Sequence, residues 1–66
     1  MFDMLVLGYR GNINTVEVTK SIKKHTNYNS TELKKIVSEI ELGNPVNLPN
    51  DFVLREELEN LSILIQ

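Results

Sequence analysis

Two prolines, Pro45 and Pro49, stand at either end of Val46-Asn47-Leu48. Proline has no amide hydrogen to give to a β-ladder, so a strand held between two of them must forgo ladder bonds. The segment is too short and too proline-bound for a central strand. It reads as an edge strand or an extended link, and the rest of the chain has to be arranged around that limit.

The flanking segments are helical. Asn29 or Ser30 can cap a helix with Glu32 in its first turn, and Leu33, Ile36, Val37 and Ile40 form one apolar stripe with Lys34, Lys35 and Glu39 off it. Gly43 ends this helix in the left-handed conformation that glycine tolerates, and Pro45 prevents a restart. Asn50 or Asp51 caps a further helix in which Leu54, Leu58 and Leu61 recur at i, i+4 and i+7. Ser62-Ile63-Leu64-Ile65-Gln66 then reads as a strand.

At the other end of the chain, Phe2 to Leu7 forms a short apolar run, stopped by the turn-rich Gly8-Tyr9-Arg10-Gly11-Asn12. Residues 14–26 carry two signals at once. Thr15-Val16-Glu17-Val18-Thr19 alternates like a strand and is β-branched, which favours a hairpin with residues 2–7. Val18, Ile22 and His25 fall at helical spacing, and Asn14 with Glu17 has the form of a capping box. The residues themselves leave both conformations open.

A chain of 66 residues has room for one domain, spanning residues 1–66, with a core worth only a few kcal/mol. It contains no cysteine, so neither a disulfide framework nor a thiolate metal site can reinforce that core. No window approaches the roughly 18 apolar residues of a membrane span, and the first residues lack the basic start of a secretory signal. The expectation is a cytoplasmic protein with no membrane association. The charges are unevenly spread. Residues 1–36 hold six basic and three acidic side chains, a net +3, whereas residues 37–66 hold one basic and six acidic, a net −5. Such a dipole orients partners rather than directing the fold.

The order strand, helix, helix, short strand, helix, strand resembles the C-terminal domain of the bacterial large-subunit ribosomal stalk protein. The likeness begins at Phe2-Asp3-Met4-Leu5 and strengthens at Val18-Thr19-Lys20-Ser21-Ile22-Lys23, followed by Thr26 and then Glu32, Lys34, Ile36 and Val37. It tips residues 14–26 toward helix. The fold it implies is α+β: a small three-stranded antiparallel sheet with three helices on one face, in the order β-α-α-β-α-β. In that family the first helix and the start of the second form a lysine-rich face that recruits translational GTPases, and the matching positions here are Lys20, Lys23 and Lys34. Thr15 and Thr19 replace a lysine and an apolar residue of that face, and Asn27-Tyr28-Asn29-Ser30 replaces the family's glycine-rich turn. The 66 residues include no counterpart of the family's N-terminal dimerisation segment and hinge, so the expectation drawn from the resemblance concerns fold and face rather than a place on the ribosome.

Candidate chemistry is sparse. His25, the only histidine, has no Ser/Asp constellation beside it and reads as a boundary residue with a ring nitrogen bonded to backbone. Glu56, Glu57 and Glu59 fan around the solvent side of their helix, and paired catalytic carboxylates need a cleft that so short a chain hardly offers. Gly8-Tyr9-Arg10-Gly11-Asn12 lacks the Lys-Ser/Thr of a phosphate loop. No enzyme activity, cofactor or metal is expected. If the first two helices pack side by side, Lys20, Lys23, Lys24, Lys34 and Lys35 share a rim suited to an acidic protein surface. Nucleic acid is a poor fit, given the acidic second half and the lack of an arginine cluster or aromatic platform. The expected function is a non-catalytic protein-interaction module. The alternative is a small inhibitor or modulator, encoded by a mobile element, that acts through Tyr28, Leu64 and the acidic third helix. Leu64 should lie on the uncovered face of the sheet, where an open edge invites homodimerisation through the C-terminal strand.

Overall fold

The computed structural model describes residues 3–66, and Phe2, read from sequence as the start of the first strand, lies outside them. The elements are β1 (Asp3–Tyr9), α1 (Thr15–His25), α2 (Ser30–Glu41), β2 (Val46–Pro49), α3 (Phe52–Asn60) and β3 (Ile63–Ile65). They build a small α+β fold of the expected order, with an antiparallel sheet ordered β2-β1-β3.

Thr15–His25 are helical, with Asn14 and Thr26 as extended caps. Tertiary packing decides the matter: Val18, Ser21 and Ile22 are buried together, an i, i+3, i+4 set that helical spacing provides and strand alternation does not. The Asn14 side chain accepts from the Glu17 amide at 3.2 Å. At α2 the box is complete, with Asn29 accepting from the Glu32 amide at 2.8 Å and the Glu32 carboxylate accepting from the Asn29 amide at 3.3 Å. Asp51 caps α3 by accepting from the Leu54 amide at 2.9 Å. Gly43 adopts φ +78°, and Pro45 then starts the extended run into β2.

β1 is the central strand and runs two residues further than expected. Val6 pairs with Ile65, but Gly8 pairs with Leu64 and Tyr9 with Ile63, so β1 holds one extra residue between Val6 and Gly8. This bulge restores Tyr9 to the face already occupied by Met4 and Val6. Gly8 supplies the φ of +124° that the bend needs. The turn signals at Gly8 and Tyr9 therefore mark a kink inside a strand rather than its end.

The core lies between the sheet and the helices. Met4, Val6, Leu48 and Ile63 face Val18, Ile22, Leu33, Val37, Ile40, Leu54 and Leu58. α2 packs on β1 and β2, α3 packs on β3, and α1 rests against both helices. The other sheet face is uncovered and carries Leu7 and Leu64, 42 % and 40 % exposed.

Candidate functional site

The lysine face is built by the helical step. On α1 the buried side is Val18, Ser21 and Ile22, which turns Lys20 and Lys23 to the outermost part of the helix, on either side of exposed Val16. On α2 the buried residues are Leu33, Val37 and Ile40. Glu32, Ile36 and Glu39 occupy the flank that meets β2, so the step of 100° per residue puts Lys34 on the opposite flank. All three lysines are exposed and make no ion pair among the described residues.

The wider rim expected from sequence is divided. Lys24 turns toward α3, where its Nζ lies 3.7 Å from Glu57 Oε2. Lys35 stands on the other side of α2, over a shallow groove of about 400 Å³ formed with β2 and floored by Tyr28, Ile36 and Val46. Lys20, Lys23, Lys34 and Lys35 all make no ion pair among the described residues, and Lys24 alone of the five lysines is engaged.

His25 does not bond to backbone as expected. Its Nε2 donates to Glu57 Oε2 at 2.9 Å and so ties α1 to α3, with the imidazole 15 % and the carboxylate 31 % exposed. Glu57 is accordingly not a freely solvated acid. The hydrogen bond from His25 holds its carboxyl below the ordinary value near 4.5, while partial burial opposes this and the Ser21 hydroxyl and Lys24 reinforce it. The signal available in sequence was His25 continuing the Val18–Ile22 stripe, but the stripe does not say which helix will meet it.

Tyr28 and Leu64 are not brought together. Tyr28 packs against the core beside β2, and Leu64 lies on β3 at the far edge of the sheet. Of the α3 acids, Glu57 is held by His25 and Glu59 approaches Arg55 at 3.9 Å. A second groove, also about 400 Å³, lies at the β3 edge and is lined by Leu7, Leu64 and Ile65 together with Arg10 and Glu59. Sequence reading also missed Phe52, which follows the Asp51 cap and is 78 % exposed. Its position before the Leu54–Leu58 stripe, out of phase with it, was the available sign.

Among the described residues no group of His, Asp and Glu side chains could hold a metal ion, and no helix is long and apolar enough to cross a membrane. The fold and its surfaces define a small α+β domain with one helix-covered and one bare sheet face. Comparison with protein-family models, with curated proteins and with solved structures returned no match.

Proposed function

We propose that this domain is a non-catalytic protein-interaction module, in which α1 and α2 present Lys20, Lys23 and Lys34 to an acidic surface of a partner protein in the cytoplasm. The observation that carries the reading is the contrast among the lysines. Lys24 is drawn to Glu57, whereas these three, like Lys35, are exposed and make no ion pair with a carboxylate among the described residues. Unpaired charges of one sign on a helix pair raise encounter rates with an oppositely charged surface. The resemblance to the ribosomal stalk C-terminal domain supports the same positions. A surface steered this way is sensitive to ionic strength, because the Debye length falls from about 30 Å at 0.01 M salt to about 10 Å at 0.1 M.

The test is a titration of the ¹⁵N-labelled domain with a glutamate-rich peptide at low salt. Amide shifts concentrated around Lys20, Lys23 and Lys34, weakened by added salt and lost in a Lys20→Glu/Lys23→Glu variant of unchanged circular dichroism, are expected. Shifts centred elsewhere, or a response indifferent to the double variant, would remove the face from consideration.

A further inference from the structure

The two free edges of the sheet differ in what they offer another strand. In an antiparallel ladder a residue's N–H and C=O point to the same side, and successive residues alternate. The Gln66 amide donates to the Leu5 carbonyl at 2.9 Å, so Leu5 faces β3, and Met4 and Val6 face β2. Their partners Leu48 and Val46 therefore point inward, and positions 45, 47 and 49 point out. Two of those three are proline, which leaves Asn47 as the one outward donor on the β2 side.

The β3 edge has the opposite character. Gln66 and Ser62 bond inward, the Ser62 carbonyl accepting from the Arg10 amide at 2.8 Å, so Ile63 and Ile65 turn their N–H and C=O groups outward. Neither is proline, and neither makes a further backbone bond outside its own ladder.

We propose that this edge pairs with the β3 edge of a second copy of the chain, antiparallel, about a two-fold axis at Leu64. The register follows from the outward groups: Ile63 of each copy meets Ile65 of the other, giving four main-chain hydrogen bonds. Leu64 then faces Leu64 of the second copy as a close, non-hydrogen-bonded pair on the bare face, beside exposed Leu7.

The charges flanking this edge are self-complementary. Arg55 and Glu59 lie on the side of α3 away from Glu57, hence away from α1. α3 doubles back onto β3 through Leu61-Ser62, so the same axis sets the two α3 helices antiparallel, Arg55 of one toward Glu59 of the other. An isologous contact requires this kind of self-matching. The joined sheet has six strands, ordered β2-β1-β3-β3-β1-β2, with proline-blunted strands at both outer edges. The pairing does not depend on the lysine-face reading.

Because the chain contains no cysteine, Leu64→Cys provides a single reporter thiol. Across a non-hydrogen-bonded pair the Cα atoms stand about 4.5 Å apart, within disulfide range. Leu64→Cys should oxidise to a covalent dimer at least about tenfold faster than Asn47→Cys on the β2 edge, in proportion to the effective concentration that pairing creates. Sedimentation equilibrium of the unaltered chain should show a mass rising from 7.6 kDa toward twice that value with concentration. Leu64→Lys, which sets like charges on the axis, should abolish the rise while leaving the circular dichroism unchanged. Three results would each overturn the proposal: a monomer at all concentrations up to about 1 mM, a dimer that persists in Leu64→Lys, or equal oxidation of the two cysteine variants. If this edge takes an extended segment of another protein instead, the first of these is seen.

Discussion

His25 and Glu57 stand 32 positions apart in the chain and are joined Nε2 to Oε2 at 2.9 Å, so that the last turn of α1 is fastened to the middle of α3. α1 packs on α2 and α3, and this contact is the polar part of the second seam.

The contact gives stability an acid limb. Glu57 titrates lower in the folded chain than when unfolded, so its charged form stabilises the fold above its ordinary pKa near 4.5. That contribution is lost as pH falls through the lowered value, below which both states are protonated. Urea midpoints measured from about pH 6 down to about pH 3 should fall more steeply for the wild type than for Glu57→Gln. Parallel curves would show that the carboxylate is not coupled to folding.

Gly8 is held at φ +124°, where an L side chain is strained, although a Cβ there would meet only the Gly43 Cα at an ordinary 3.7 Å. The penalty for Gly8→Ala is therefore conformational rather than steric, of about 1–3 kcal/mol. In a domain this small that loss should be visible as a clear drop in the unfolding midpoint. A neutral Gly8→Ala would mean that the bulge can relax to another register.

The two helix caps differ in completeness. Asn29 takes part in reciprocal bonds with Glu32, whereas Asn14 makes the forward bond to the Glu17 amide alone. Asn29→Ala should cost about 1 kcal/mol, and Asn14→Ala less, within the usual 0.5–2 kcal/mol range for a lost cap. Denaturant titration of the two variants checks the order.

Replacing Pro45 and Pro49 by alanine restores two outward amides on β2 and leaves the inward pairs of Val46 and Leu48 untouched. The variant should self-associate more strongly than the wild type, as seen by light scattering on a concentration series, because an unblunted edge templates strand addition. If scattering is unchanged, the prolines serve only to shape the turns.

Much of this fold can be read locally. The caps at Asn29 and Asp51, the stop at Gly43, the leucine spacing of α3 and the outward Leu64 all follow from neighbours within a few residues, where backbone hydrogen bonding and side-chain periodicity act. The edge position of β2 belongs with them, because proline removes a donor whatever surrounds it.

Other features depended on groups distant in sequence. Residues 14–26 had credible strand and helix signals, and helix won because Val18, Ser21 and Ile22, which only a helix sets on one side, could be buried together against α2 and α3. β1 outran its glycine because β3 pairs with it beyond the bulge. Of the lysines read as one rim, Lys24 was drawn off by a carboxylate on α3. A sequence specifies what each short segment can present, since propensity, caps and periodicity act over a turn or two. Which presented groups meet is decided by packing, where burying apolar side chains between the sheet and the helices brings residues 32 positions apart into contact.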